Sequence, residues 1–161
     1  MNDMSFTGKE LLVELIDTAC SQPDPNDTVQ ILREGLARLI AEKSVYLPEC
    51  VFEPVDGHYA RREIYRCAET GVTVVAMTWG PDQGTPIHDH CGLWCVEGVW
   101  QGKIEITNYE LVDDSPERCR FIRHETILAD AGSSGSMISP HEYHTIRNAS
   151  ELRVKETDRI T

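Results

Sequence analysis

The feature that most constrains the fold is a change of pattern near residue 50. From there to residue 149, short apolar or alternating runs are separated by turn sequences rich in glycine, aspartate and serine. Many short strands divided by turn signals are typical of an all-β sandwich or barrel. The predicted strands are 64–67, 72–79, 93–99, 104–111, 126–129, 136–139 and 145–146.

The segment before this change, residues 1–47, has helical periodicity instead. Thr7 with Glu10 has the spacing of a capping box, which predicts the start of a first helix. Asp24 followed by Pro25 predicts a second helix, with proline at its first position. The predicted apolar stripes are Leu11, Leu12, Leu15 and Ile16, and then Val29, Leu32, Leu36, Leu39 and Ile40.

These patterns predict a single domain in a chain of 161 residues. A small helical layer over 1–47 precedes a β-barrel over 50–149, and the fold class is mainly β. The polar tail over 150–161 is expected to form a short edge strand or to fray.

The charge and composition exclude several classes of partner and location. A formal net charge of −12 argues against nucleic acid and anionic membranes as partners. The sequence contains no 18-residue apolar run and no signal peptide pattern, so we expect no membrane span and no export. Six scattered cysteines in such a chain are expected to be reduced thiols in the cytoplasm. The oligomeric state is not encoded in any pattern that we can identify.

Two histidines, His88 and His90, follow a glycine- and proline-rich turn over 80–86. On an extended chain, residues i and i+2 share a face, so both imidazoles can reach a single point. Histidine is the commonest metal ligand in proteins, and we interpret the pair as half of a metal site.

A third histidine in a similar setting, His144, follows a proline turn and begins a short predicted strand. Three histidines on neighbouring strands would leave positions open on the metal, as in catalytic sites. Such a site could hold iron(II), zinc, manganese or copper, since imidazole alone does not choose among them. The other histidines, His58, His124 and His141, are not paired at ligand spacing and are predicted not to bind metal.

The two histidine segments resemble the two motifs of the cupin superfamily. Residues 79–90 read Trp-Gly-Pro-Asp-Gln-Gly-Thr-Pro-Ile-His-Asp-His and are followed by Gly98 and Gly102. Residues 139–149 read Ser-Pro-His-Glu-Tyr-His-Thr-Ile-Arg-Asn-Ala, which resembles the second motif. The resemblance covers about 59–149 and implies a jelly-roll β-barrel.

The first motif is more narrowly similar to the cysteine dioxygenase family of thiol dioxygenases. Many cupins place a glutamate ligand where this sequence has Trp94 and Cys95, and Glu97 lies too far along. Thiol dioxygenases likewise lack that glutamate. The resemblance implies an enzyme that uses Fe(II) and O₂ to oxidise the small thiol L-cysteine to cysteine sulfinic acid, without an external reductant. The implied iron ligands are His88, His90 and His144.

The same family suggests how the substrate is held. Its cysteine-specific members carry a Tyr-x-Arg segment ahead of the first motif, and Tyr59-Ala60-Arg61 matches it. Arginine binds a carboxylate by two charge-assisted hydrogen bonds. The match to Tyr-x-Arg makes Arg61 the implied substrate anchor. Arg62 is the second choice, and it is kept because counting residues back from His88 slightly favours it. Members that prefer 3-mercaptopropionate tend to have glutamine there, so the arginine favours cysteine.

Cys95 occupies the position of a cysteine that forms a thioether with tyrosine in animal members, which makes it a candidate catalytic residue. The partner tyrosine belongs to a Ser-x-His-x-Tyr segment that this sequence lacks after its second motif. There is no tyrosine after Tyr143 and no histidine after His144. Either the chain is truncated or frame-shifted, or another tyrosine substitutes; otherwise Cys95 is a buried packing residue.

Three alternatives remain open at this stage. The protein could oxidise another small thiol such as 3-mercaptopropionate, or it could be a metal-binding cupin with little or no activity. A zinc site that combines the histidines with Cys91 and Cys95 is disfavoured. Cys91 follows His90 directly and would face the other way.

Overall fold

Two β-sheets and a pair of helices make up the structure. The computed structural model describes residues 4–140 and 142–150, together with the backbone of 157–160. The elements in chain order are α1 (Lys9–Cys20), α2 (Pro25–Ala41), a 3₁₀ turn (Glu49–Phe52), β1 (Ala60–Arg66), β2 (Thr73–Thr78), β3 (Cys95–Gly98), β4 (Lys103–Ser115), β5 (Arg118–Asp130), β6 (Ser134–Met137), β7 (Tyr143–Asn148) and β8 (Thr157–Ile160).

The strands form a five-stranded sheet in the order β1-β2-β8-β3-β6 and a three-stranded sheet in the order β5-β4-β7. One apolar core lies between the sheets, and it includes Val75 and Met77 of β2 and Ile104 and Ile146 of the facing sheet. A second core lies between the helices and the outer face of the five-stranded sheet. All six residues of β2 are buried because both of its faces are covered. The mainly β fold with a small N-terminal helical layer is therefore confirmed.

The predicted start of α2 is confirmed and that of α1 is wrong. Asp24 caps α2 by accepting a hydrogen bond from the backbone N–H of Asn26 at 2.9 Å. In α1 the cap is Gly8, with φ of 81°, and no side chain caps the helix. Thr7 is held elsewhere, because its carbonyl accepts the N–H of Tyr46. A side chain at Gly8 would collide with the carbonyl oxygen of Ser44, so the close approach of these two segments decides where α1 begins.

Several predicted boundaries also move. The second helix ends at Ala41 and not near residue 47. Leu11, assigned to the apolar stripe of α1, is 38% exposed. The strand predicted over 104–111 extends to Ser115, which pairs with Arg118 in the hairpin between β4 and β5. Exposed polar strands of this kind lack the alternation that predicts strands, because nothing buries one of their faces.

The polar tail differs most from expectation. Part of it forms β8, whose backbone pairs with β2 on one side and β3 on the other. The expectation of an edge strand is therefore wrong, since β8 lies inside the five-stranded sheet. Residues 151–156 lie outside the described part of the chain.

Two expectations about composition can be compared with this structure. No helix among the described residues combines the length and the apolarity needed to span a bilayer. All six cysteines are described residues, and none of them forms a disulfide.

Candidate metal centre

The two histidine segments are joined by backbone hydrogen bonds. His88 and His144 exchange a pair of them, at 3.1 and 3.0 Å. Farther along, the N–H of Thr85 donates to Ile146, and the N–H of Asn148 donates to Gln83. The stretch before β3 therefore runs antiparallel to β7, which carries the third histidine to the first two.

Close packing of these segments depends on small and polar residues in both motifs. A side chain at Gly84 would lie 2.9 Å from the carbonyl oxygen of Ile146. The Asn148 side chain donates to the carbonyls of Trp79 and Gly80, at 3.0 and 3.1 Å. The glycine–proline turn over 80–86 and the spacing of His144 and Asn148 therefore have a physical role, since they fix the position of one segment against the other.

The three predicted ligands His88, His90 and His144 form one cluster, and each contributes a ring nitrogen to a group within 4.8 Å of one another. Their ring centroids are 4.3 to 5.6 Å apart. His90 and His144 are buried, while His88 is half-buried. His88 and His90 precede the named strand, which begins at Cys95 and not at residue 93 as predicted.

Hydrogen bonds fix the orientation of two of the rings. The Nδ1 of His88 lies 3.0 Å from the carbonyl of Pro86, and the Nδ1 of His144 lies 2.7 Å from that of Glu142. A carbonyl oxygen only accepts, so Nδ1 carries the hydrogen in both rings and Nε2 keeps its lone pair. The buried Nε2 of His144 has no hydrogen-bond partner. Its lone pair is thus available to a metal ion.

The electrostatics of the cluster also favour ligation. Burial lowers the pKa of His144 from 6.5 to about 4, and the nearby His88 adds to this, although the Glu142 carbonyl opposes it. The ring is therefore neutral near pH 7, which is the form that binds a metal ion. Neither ring nitrogen of the buried His90 has a hydrogen-bond partner. Unpartnered buried nitrogens aimed at one point fit a metal ion better than they fit a packed core.

Two further buried groups, Cys95 and Glu97 of β3, lie beside His90. Cys95 Sγ, a Glu97 carboxylate oxygen and a His90 ring nitrogen all lie within 4.8 Å of one another. Cys95 donates to Glu97 at 3.9 Å. Burial raises the pKa of Glu97 to about 7, and it raises the pKa of Cys95, together with the charge of Glu97. Glu97 also lines a cavity of about 260 Å³ between the sheets.

The predicted substrate residues lie on β1 and just before it. Tyr59 is half-buried against Trp79, with ring centroids 5.7 Å apart. Arg61 pairs with Met77, whose side chain belongs to the core between the sheets. The side chain of Arg61 is exposed and makes no hydrogen bond within the described part of the chain. Arg62 instead donates to the carbonyls of Val51 and Glu53, at 3.1 and 2.7 Å, and so ties β1 to the 3₁₀ turn.

The remaining histidines and Cys91 stand apart from the cluster. His58 is exposed, with its Nδ1 beside the carbonyl of Tyr59. His124 is exposed and lies 2.9 Å from Glu110. Cys91 is exposed and belongs to neither group of potential ligands among the described residues. His141 lies outside the described residues.

Sequence reasoning missed Glu142 and set Glu97 aside. Glu142 is buried, and its carboxylate accepts the backbone N–H of His90 at 3.3 Å. It lies two residues before His144, on the same face of an extended chain, and that spacing could have revealed it. Glu97 is a charged residue within an apolar run, which is the corresponding signal for a buried carboxylate.

Comparison with known proteins gives the name of the fold. No protein-family model matches the chain. A Thermus thermophilus protein is 14% identical, with 70% of this chain and 91% of that chain covered and a TM-score of 0.53. A cupin 2 conserved barrel domain protein from Leptotrichia buccalis is 11% identical, with 73% and 47% covered and a TM-score of 0.50. A cupin superfamily protein from Desulfitobacterium hafniense is 12% identical, with 68% and 81% covered and a TM-score of 0.48. Likeness at such identities speaks for the fold alone, and the chain has a cupin fold.

Proposed function

We propose that this protein is an Fe(II)-dependent thiol dioxygenase that converts L-cysteine and O₂ to cysteine sulfinic acid. The observation that carries the proposal is the group of three buried or half-buried histidines with converging ring nitrogens. Among the described residues, no carboxylate belongs to this group of three. A ligand set of this kind leaves positions open for a substrate and for oxygen. Both oxygen atoms go to the substrate sulfur, so the reaction balances without another reductant.

His88, His90 and His144 would hold the iron, and neutral imidazoles are the form in which they do so. When bound, ferrous iron supplies the centre at which thiolate and dioxygen react. The chain's own contribution is to fix these rings and, through burial, to keep His144 neutral. The Pro86 and Glu142 carbonyls fix two of them, and the Glu142 carboxylate fixes the backbone of His90.

Arg61 is the proposed partner of the substrate carboxylate. Residues opposite one another in an antiparallel ladder share a face, so Arg61 lies on the face of Met77, toward the core between the sheets. Arg62 pairs with Ala76, which belongs to the core on the helical side. The guanidinium of Arg62 is also already bound to two backbone carbonyls. These placements support Arg61 over Arg62.

The direct test combines metal analysis with oxygen consumption. Protein loaded anaerobically with Fe(II) is mixed with L-cysteine, and oxygen uptake and the sulfinic acid product are measured together. We expect one O₂ consumed for each sulfinic acid formed. Iron-loaded protein that consumes no oxygen with cysteine, 3-mercaptopropionate or cysteamine would contradict the proposal.

The role of Arg61 has its own test. Loss of a charge-assisted bidentate contact costs about 1.5–3 kcal/mol, so Arg61→Ala should raise KM for cysteine roughly 10–100-fold. The KM for cysteamine, which lacks the carboxylate, should change little. Arg62→Ala is the matched control, and its effect should be alike for both thiols. Equal effects of Arg61→Ala on the two substrates would remove Arg61 from the pocket.

A second candidate function is metal binding with little or no turnover. It is favoured by one observation: Arg61, the proposed carboxylate anchor, is exposed, whereas the three histidines are buried or half-buried. The histidine cluster could therefore hold a metal ion without a substrate anchor beside it. The same assay decides between the two candidates, because this one predicts bound metal without oxygen uptake.

A further inference from the structure

The three clustered histidines differ in how their second ring nitrogen is satisfied. His88 and His144 each donate from Nδ1 to a backbone carbonyl, at 3.0 and 2.7 Å. His90 is 8% exposed, and neither of its ring nitrogens has a hydrogen-bond partner. Once one nitrogen of a neutral imidazole binds a metal ion, the other carries the hydrogen and needs an acceptor. A buried donor left without an acceptor is unfavourable.

Glu97 is placed to be that acceptor. It is 5% exposed on β3, and one of its carboxylate oxygens lies within 4.8 Å of a His90 ring nitrogen. The third member of the group, Cys95, offers a thiol, which is a weak acceptor, whereas a carboxylate is a strong one. No hydrogen bond joins Glu97 to the His90 ring in this structure, so the proposed contact requires one of the two side chains to rotate.

A second carboxylate already holds the same residue from the opposite sheet. Glu142, just before β7, accepts the backbone N–H of His90 at 3.3 Å. It therefore fixes where the main chain of His90 lies but does not fix its ring. Glu97 approaches from β3, the strand that follows the histidine pair in sequence. The two carboxylates thus act on different atoms of one ligand.

We propose that Glu97 is a positioning residue of the metal centre, which accepts the His90 ring N–H when the three histidines hold a metal ion. This inference rests on the metal centre of the proposed function and not on its thiol chemistry. A carboxylate bound to a metal-ligating histidine fixes the ring and increases its basicity. Removal of such a partner typically weakens metal binding about 10–100-fold.

The test compares two substitutions at Glu97 with one at Val99, a nearby buried residue of the core between the sheets. Fe(II) affinity is measured anaerobically by competition with a chelator, in the wild type, Glu97→Leu, Glu97→Gln and Val99→Ala. We expect Glu97→Leu to bind Fe(II) about 10–100-fold more weakly. Glu97→Gln should recover most of that loss, because its amide oxygen still accepts a hydrogen bond. Val99→Ala should bind Fe(II) like the wild type, because it alters the same core without removing a polar group.

A spectroscopic readout separates this role from a merely structural one. In zinc-loaded protein labelled with ¹⁵N-histidine, the His90 ring N–H should exchange slowly with solvent in the wild type and quickly in Glu97→Leu. The ring N–H signals of His88 and His144 are internal controls, because their acceptors are backbone carbonyls.

Two outcomes overturn the proposal in distinguishable ways. Wild-type affinity in Glu97→Leu, or an unchanged His90 signal in that variant, removes Glu97 from the metal centre and leaves the centre itself intact. Wild-type protein that binds neither Fe(II) nor zinc removes the metal centre, and the proposed function with it.

Discussion

The two sheets of this barrel differ in how they are covered. In the five-stranded sheet, every residue of β2 and β3 is buried, with the helices on one side and the core between the sheets on the other. In the three-stranded sheet, β5 spans 13 residues and only Ala129 is buried. The metal ligands come from both, since His144 lies on β7 and the His88–His90 pair leads into β3. The covered central strands of one sheet therefore meet a more exposed sheet at the candidate site.

This difference separates residues whose substitution should change the free energy of unfolding from residues whose substitution should change metal binding. Leu32 of α2 is buried against the five-stranded sheet, whereas Leu128 of β5 is exposed. On the three-stranded sheet, His144 is likewise buried and His124 is exposed. Matched substitutions in the two environments test whether the two sheets differ in this way in solution.

The largest effect is expected at the buried histidine. His144→Ala removes one of the three proposed ligands. It should weaken iron binding by more than roughly 100-fold, which is the upper end of the loss typical for residues that only hydrogen-bond to a ligand. His124→Ala is the control on the same sheet, because His124 is exposed and pairs only with Glu110 among the described residues. Iron content after anaerobic loading and desalting is the measurement. Equal iron content in the two variants would contradict the assignment of His144 as a metal ligand.

A matched pair of leucines tests the coverage of the two sheets. Leu32 of α2 is fully buried against the five-stranded sheet, and Leu128 of β5 is 58% exposed. Leu32→Ala should lower the free energy of unfolding by about 2–5 kcal/mol, and Leu128→Ala by less than about 0.5 kcal/mol. Urea denaturation measures both. A loss at Leu128 as large as that at Leu32 would show that the outer strand is covered in solution.

The pH dependence of the metal-free protein gives the subtlest test. The pKa of His144 falls from 6.5 to about 4 on folding, so the unfolded state binds more protons between these values. Stability should decrease as pH falls through this window, by about 3 kcal/mol in total. The contribution of Glu97 to the pH dependence of stability has the opposite sign. Its pKa rises from 4.5 to about 7 on folding, so stability decreases as pH rises through that window.

The two groups therefore oppose each other between pH 4.5 and 6.5. Urea denaturation at several pH values should show a steeper acid loss of stability in Glu97→Gln than in the wild type. The loss should be shallower in His144→Ala. If all three proteins had the same slope, the buried environment assigned to these groups would be wrong.

Much of the fold was predictable from sequence because local rules govern it. The Asp24–Pro25 helix start depends on one side chain and its own backbone, and it is confirmed. The barrel followed from short apolar runs between turns, with strand boundaries shifted by a few residues. The cap of α1 was not predictable, because Gly8 is selected by a contact with Ser44, distant in sequence. Most of the exposed strand β5, outside the predicted 126–129, and the inner position of β8 were not predicted, because polar strands show no apolar alternation.

The sequence by itself determined the three histidines and the turn residues that bring their segments together. Ligand type and spacing are local properties, and a strand period of two makes His88 and His90 converge. Only the tertiary structure decided which carboxylates join them. Glu97 and Glu142 become important through burial and through distances across separate strands, and the free energy of a buried charge depends on neighbours that no local pattern specifies.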